Sequence, residues 1–157
     1  MGFHTIIATL IITVFLISLA YTLIAGNTNL ADTTLEGYKG GVKSEIERLK
    51  TDITLINVSY DPIIGELTTY VKNTGTEKFI NFNKFDMFIY GTTTSGATIT
   101  RYLTANYTIV NELINPNIFD PGEIASANAT VSLDNGTYVL QVCTPNAICN
   151  VLDFVVG

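Results

Sequence analysis

The chain has 157 residues, of which 47% are hydrophobic and only 14% are charged, and its net charge is −6. From Asp52 onward there are four basic against ten acidic residues, which accounts for the whole net charge. Because nucleic-acid phosphates require a basic surface, this acidic distal part excludes nucleic acid as a partner.

The chain begins with an apolar run, residues 5–26, that contains no charged side chain. A helix of that length crosses about 30 Å of hydrocarbon. A secretory signal would have a basic start and a shorter apolar region, but no Lys or Arg lies between Met1 and His4. We therefore predict a retained transmembrane anchor over residues 1–26 in contact with the lipid bilayer, with an apolar core that comprises Ile6, Ile7, Leu10, Ile11, Val14, Phe15, Ile17, Leu19 and Leu23.

Residues 27–52 have the period of an amphipathic helix, which we interpret as a neck. Asn27-Thr28-Asn29 marks either a break or the water interface, and Gly40-Gly41 is the weak point of the helix. The apolar stripe has two interpretations: it packs against the β domain of its own chain, or it pairs with the same stripe on a second copy of the chain. It consists of Leu35, Tyr38, Val42, Ile46 and Leu49.

From residue 53 the apolar period changes to two, which is typical of strands. Seven or eight short runs separated by turn signals predict an antiparallel, immunoglobulin-like β-sandwich over residues 53–157, so that the fold is mainly β. Asn135-Gly136 is the best hairpin signal in the chain.

The two cysteines favour a domain outside the cytoplasm, in a single-pass membrane protein, whereas the number of glycosylation sequons adds little. Cys143 and Cys149 bracket five residues between two strand-like runs, and either a disulfide closes this loop or both thiols are buried and free. Chance explains most of the Asn-x-Ser/Thr sequons in a chain this rich in Asn and Thr. The candidate glycosylation acceptors are Asn57, Asn106, Asn128 and Asn135.

The sequence lacks the residues of a catalytic, cofactor or metal site. Its single histidine, His4, lies beside the apolar run, far from the polar residues of the distal domain. Asp120-Pro121-Gly122-Glu123 has too few nearby oxygen ligands for calcium and is interpreted as a plain turn. We therefore expect no enzyme, cofactor, metal or small-molecule substrate. A membrane-anchored binding domain and a filament subunit with its helix packed in a fibre core are the two classes that remain.

Several short motifs resemble the accessory membrane proteins of the archaeal flagellum (archaellum), FlaF and FlaG, which are distant relatives of archaellins and type IV pilins. They are the opening Met1-Gly2-Phe3, the end of the neck (47–53), Val71-Lys72-Asn73-Thr74-Gly75, Asp120-Pro121-Gly122-Glu123 and Asp134-Asn135-Gly136-Thr137-Tyr138. Archaellins and pilins carry a basic leader before the apolar helix. This chain has no basic residue before Lys39, so the resemblance favours the accessory proteins, and within them the FlaF type.

The resemblance implies an immunoglobulin-like domain in the pseudo-periplasm beneath the surface layer. There it would bind surface-layer protein and a FlaG-like partner, and act as a stator anchor. A homo-oligomer, either a dimer or a filament, is expected. The filament-forming pilin or archaellin-like subunit is the alternative. The contact surface is expected at a strand edge or in the loops containing Arg101 and Asn115-Pro116-Asn117.

Overall fold

The computed structural model describes residues 3–110, 112 and 114–157, with only the backbone of residues 5 and 27–29. Met1 and Gly2 of the Met-Gly-Phe opening lie outside these residues. The chain divides into two compact units, Met1–Lys43 and Ser44–Gly157, and each is described by itself.

The first 50 residues contain one long helix, α1 (Phe3–Lys50), which runs without interruption through residues 27–29 and through Gly40-Gly41. In its apolar part the hydroxyls of Thr9, Thr13, Ser18 and Thr22 each donate to a carbonyl three or four residues earlier, at 2.8–3.0 Å. A hydroxyl satisfied in this way needs no water, so these side chains are compatible with a hydrocarbon environment.

The second unit contains eight strands in two four-stranded antiparallel sheets. Sheet I has the order β1-β2-β6-β5 and sheet II the order β4-β3-β7-β8. The predicted mainly β sandwich is therefore confirmed. The strands are β1 (Ile53–Asp61), β2 (Glu66–Asn73), β3 (Asp86–Thr93), β4 (Thr98–Leu103), β5 (Asn106–Ile109), β6 (Ile124–Thr130), β7 (Gly136–Cys143) and β8 (Cys149–Val156), with a short 3-10 helix at Phe82–Lys84 between β2 and β3.

The strand order is that of an immunoglobulin-like sandwich. β1, β2, β6 and β5 correspond to A, B, E and D, while β3, β7 and β8 correspond to C, F and G, with β4 added beside C. Tyr138, near the start of β7, donates its hydroxyl to the carbonyl of Asp134 at 2.8 Å. That contact is the tyrosine corner of this fold.

The core lies between the two sheets and is closed at one end by aromatic rings. Leu67 and Val71 of sheet I face Ile89 and Leu140 of sheet II, and all four are fully buried. Phe79, Phe85, Tyr107 and Phe119 form the aromatic end, with ring centroids 5.0–6.3 Å apart.

The regular alternation expected from residue 53 onward is wrong after Leu55, because a β-bulge there shifts the register of β1 against β2. Ile53 and Leu55 are buried before the bulge, whereas Asn57 and Ser59 are exposed after it. A bulge adds one residue to one strand, so the inward positions change from odd to even numbers.

The prediction of a hairpin at Asn135-Gly136 is also wrong. β6 ends at Thr130, and the chain then crosses to β7 in the other sheet. Gly136 is required for space rather than for a turn. A Cβ at this position would lie 2.5 Å from the carbonyl oxygen of Thr92 and 2.8 Å from the Cα of Thr93.

Candidate functional site

The side chains predicted to form the anchor core all lie on the surface of α1. Their exposed fractions run from 43% for Ile7 to 69% for Ile17. α1 is the one helix among the described residues that is long and apolar enough to cross a membrane. An apolar surface of this extent requires a non-aqueous environment or a protein partner.

The stripe residues of the predicted neck are exposed as well. Val42 is the least exposed, at 40%, and Leu49 the most, at 86%. The stripe is therefore available to a second copy or another partner.

The last turn of α1 is capped by the segment that follows β2, and we call this contact the helix joint (residues 50–52 with 74–77). The amides of Thr76 and Glu77 donate to the carbonyl of Lys50 at 2.8 and 3.2 Å, and the amide of Gly75 donates to that of Asp52 at 2.9 Å. Carbonyls at a helix end lack partners within the helix, so these amides satisfy them. The helix joint fixes the end of α1 to the sandwich.

A disulfide lies at the tip of the β7–β8 hairpin, next to the helix joint. Cys143 and Cys149 are register partners, and their sulfur atoms are joined at 2.08 Å. Asn146, in the loop that the disulfide closes, donates its side-chain amide to the hydroxyl of Thr51 at 2.8 Å. The disulfide loop therefore supports the segment that connects α1 to β1.

Asp120 is a fully buried carboxylate at the aromatic end of the core. Its Oδ1 lies 2.9 Å from the Lys78 ammonium, and its Oδ2 accepts from the Asn115 amide at 2.8 Å. Lys78 above all, aided by Asn115, lowers the pKa of Asp120, although burial acts in the opposite direction. Its backbone amide donates to Glu123 at 2.8 Å. The contacts of Asp120 with Lys78, Asn115 and Glu123 fix the turn before β6. Among the described residues, no group of three His, Cys, Asp or Glu side chains could hold a metal ion.

The outer face of sheet II forms an aromatic and acidic surface, which we call the aromatic face. Register pairing places Tyr102 beside Phe88, with ring centroids 5.3 Å apart, and Tyr90 beside Val139. Tyr102 and Tyr90 are 59% and 37% exposed. The exposed apolar and acidic residues of the aromatic face are Tyr90, Tyr102, Val151, Val155, Asp86 and Asp153.

The aromatic face carries negative charge without a compensating cation among the described strand positions. Tyr102 donates its hydroxyl to Oδ1 of Asp86 at 3.2 Å, and this hydrogen bond raises the pKa of Tyr102. Arg101 is the basic residue of the adjoining strand β4, but its guanidinium donates to the carbonyl of Ser132 at 3.4 Å. Exposed Tyr side chains are typical of protein-binding surfaces, and carboxylates without a compensating cation are complementary to a basic surface.

The outer face of sheet I is different in character, being uncharged over most of its area. Three of the four predicted glycosylation acceptors lie on it, Asn57 in β1, Asn106 in β5 and Asn128 in β6, and all three are exposed. The fourth, Asn135, is exposed in the connection before β7. The sequence does not indicate this grouping, because it arises from strand order and from the bulge in β1.

The remaining expected contact residues do not form a common site. Arg101 lies within β4 rather than in a loop, and Asn115 binds Asp120. Two open clefts of about 240 and 210 Å³ lie beside the helix joint and between β1 and β8. Neither brings together a nucleophile and a base.

Comparison with known proteins identifies relatives in archaea. No protein-family model matches the chain. An uncharacterized protein of Archaeoglobus fulgidus is 44% identical over 155 residues, covering 98% of this chain and 96% of its own length. The chain belongs to the family of that archaeal protein.

Two solved structures of more distant proteins are similar to the sandwich. The archaellum periplasmic stator protein FlaG from Sulfolobus acidocaldarius matches with a TM-score of 0.50 and 13% identity, over 66% of this chain and 99% of FlaG. The FlaF and FlaG stator complex from the same organism matches with a TM-score of 0.49 and 15% identity, over 65% of this chain and 87% of the matched chain. The first match shows that the sandwich of this chain has the fold of FlaG.

Proposed function

We propose that this protein is a membrane-anchored structural component of the archaeal motility machinery, a stator of the FlaF type rather than an enzyme. The observation that carries the proposal is the combination, on one chain, of an exposed apolar helix and a sandwich with the fold of a periplasmic stator protein. A stator must be held at both ends, and the helix supplies the attachment to the membrane. The short motifs that resemble FlaF add support.

In this proposal the sandwich lies on the extracytoplasmic side of the membrane and binds surface-layer protein through the aromatic face. Tyr90 and Tyr102 would be buried against the partner, and Asp86 and Asp153 would pair with its basic side chains. A few buried Tyr side chains commonly supply most of the binding energy of an interface. A FlaG-like protein is the expected second partner, and no nucleic acid or small molecule is involved.

The test is binding of the full chain, purified in detergent, to isolated surface layer by cosedimentation. Tyr90→Ala combined with Tyr102→Ala should weaken binding at least about tenfold, since each truncation removes an exposed aromatic anchor. Thr100→Ala is the matched control, because Thr100 is the register neighbour of Tyr90 on the same face. Equal binding by all variants would reject the aromatic face as the contact surface.

A filament subunit is the second candidate, because the stripe Leu35, Tyr38, Val42, Ile46 and Leu49 is exposed. Negative-stain microscopy of the protein extracted from its native membrane separates the two candidates. Particles of one or two copies support the anchored stator. Helical filaments with the apolar helices in their core support the subunit.

A further inference from the structure

The sequons of sheet I are brought together by the register of four strands. In a strand, residues two apart lie on the same face, so the Asn and the Ser or Thr of each sequon point to the same side. Asn106 pairs with Asn128, Asn128 with Thr68, and Thr68 with Ser59. One row across the sheet therefore contains two acceptors, Asn106 and Asn128, and the hydroxyl of Ser59, which belongs to the sequon of Asn57.

The next row completes the arrangement. Asn57 pairs with Tyr70, Tyr70 with Ser126, and Ser126 with Thr108. The three sequons, Asn57 with Ser59, Asn106 with Thr108 and Asn128 with Thr130, thus occupy neighbouring rows of one exposed face. Among its described strand positions, the aromatic face of sheet II carries no acceptor.

The acceptor amides differ from the asparagines that support the fold. Asn73, Asn115 and Asn146 each donate through Nδ2 to a protein oxygen at 2.8 Å, and none of them begins a sequon. The Nδ2 atoms of Asn57, Asn106 and Asn128 donate to no described protein group. At Asn128 it is Oδ1 that is engaged, accepting from the Ser126 hydroxyl at 3.4 Å.

Asparagine at these positions has no evident role in the sheet. Asn is depleted in strands because its side chain competes for backbone hydrogen bonds and packs poorly on a pleated surface. Three exposed strand positions that hold Asn, with no Nδ2 hydrogen bond to a described protein group, therefore require another explanation, and each is followed two residues later by a hydroxyl on the same face.

We propose that the outer face of sheet I is N-glycosylated at Asn57, Asn106 and Asn128. The donor is an oligosaccharide linked through its C1 to a lipid phosphate. The amide Nδ2 forms a bond to C1 and loses one proton, the bond from C1 to the phosphate oxygen breaks, and the lipid phosphate leaves with the electron pair of that bond and, in the net reaction, takes up the proton. This inference rests on the proposed function in one respect, namely that the sandwich lies on the extracytoplasmic side of the membrane.

The consequence is a sandwich with two different faces. Glycans on sheet I cover the polar face and exclude a protein partner from it. The aromatic face of sheet II then stays bare. Modification and partner binding are thereby separated onto opposite sides of the same domain.

The experiment is intact-mass and peptide mass spectrometry of the full chain purified from the native archaeal membrane. We expect glycan increments on the peptides that contain Asn57, Asn106 and Asn128. Thr130→Ala keeps Asn128 but removes its sequon and should eliminate one increment. Thr130→Ser preserves the hydroxyl and is the matched control, which should retain the increment.

Protease added to intact cells distinguishes failure of this inference from failure of the proposed location. An accessible sandwich with all three peptides unmodified overturns the glycosylated face and leaves the location standing. An inaccessible and unmodified sandwich overturns both. Modification of Asn135 alone would overturn the assignment to sheet I.

Discussion

Gly75 is the residue on which the helix joint depends most directly. A Cβ there would overlap the carbonyl oxygen of Lys50 and lie 2.5 Å from the amide nitrogen of Asp52, and both are backbone atoms that a rotamer change cannot move. The Asn73 side chain also accepts from the Gly75 amide at 3.2 Å, which keeps the turn tight. The glycine is therefore required because two backbone segments approach closely.

We expect Gly75→Ala to lower the free energy of unfolding by about 1–3 kcal/mol, because the overlap separates the turn from the end of α1. The measurement is thermal unfolding of the full chain in detergent, followed by near-ultraviolet circular dichroism. Thr76→Ala is the control, since Thr76 is exposed and contributes its backbone amide to the helix joint. An unchanged Tm for Gly75→Ala would contradict this view of the joint.

Asp120 gives the domain an acid-sensitive contact. Because its pKa is lower in the folded than in the unfolded state, the contact stabilises the fold above the ordinary aspartate pKa of about 4 and is lost as the pH falls below that value. We expect Asp120→Asn to lower the Tm at pH 7 and to make the fall of Tm between pH 5 and 3 less steep, because the neutral amide has no ion pair to lose on acidification.

The control for this pH series is Asp153→Asn, which removes an exposed carboxylate without touching the buried pair. Lys78→Met should resemble Asp120→Asn, because it removes the ammonium that is the main cause of the lowered pKa. If the Asp120→Asn and unmodified proteins lost stability in parallel on acidification, the ion pair with Lys78 would not be the acid-sensitive contact.

Among the larger elements, the β7–β8 hairpin is closed covalently by the disulfide. Replacing both cysteines by serine should lower the free energy of unfolding by about 2 kcal/mol, since closure of a loop this short restricts the unfolded chain modestly. Thermal unfolding with and without reductant provides the measurement. Reductant should lower the Tm of the unmodified chain and leave the double variant unchanged, and no effect on either would contradict the stabilising role.

Local sequence patterns predict the strands of this protein well and their partners poorly. Seven of the eight strands coincide with runs rich in β-branched and aromatic residues, and the alanine-rich β6 still alternates between buried and less buried positions, because the alternation of side chains is a local property. The bulge after Leu55 and the crossing at Asn135-Gly136 were missed, since both depend on contacts with residues distant in sequence. Gly136 illustrates the reason, because the atoms that exclude a Cβ belong to Thr92 and Thr93.

The same limit applies to the candidate surfaces. The apolar residues of α1 are evident from composition, and the two cysteines from their spacing. The aromatic face is assembled from four strands, and no segment of the sequence contains more than two of its exposed tyrosines and valines. Periodicity predicts which residues point outward on a strand, whereas strand order decides which of them become neighbours.

For the molecule as a whole, the prediction concerns its insertion in the membrane. We expect the full chain to remain in the membrane pellet after alkaline carbonate extraction, because the apolar length of α1 suffices for a span of about 30 Å. A variant that lacks residues 1–26 should be released into the supernatant. Release of the full chain by carbonate would contradict a transmembrane anchor. The predicted division of the chain into an anchor (1–26), a neck (27–52) and a β-sandwich (53–157) would then need revision.

The helix joint also determines how a mechanical load enters the sandwich. A pull on the end of α1 reaches β1 directly through Thr51 and Asp52, and it reaches β2 through the amides of Thr76 and Glu77. β1 is an edge strand, and an edge strand loaded alone would peel from its neighbour one hydrogen bond at a time. Because the tension is divided between an edge strand and an interior strand, several hydrogen bonds must break together before the domain yields.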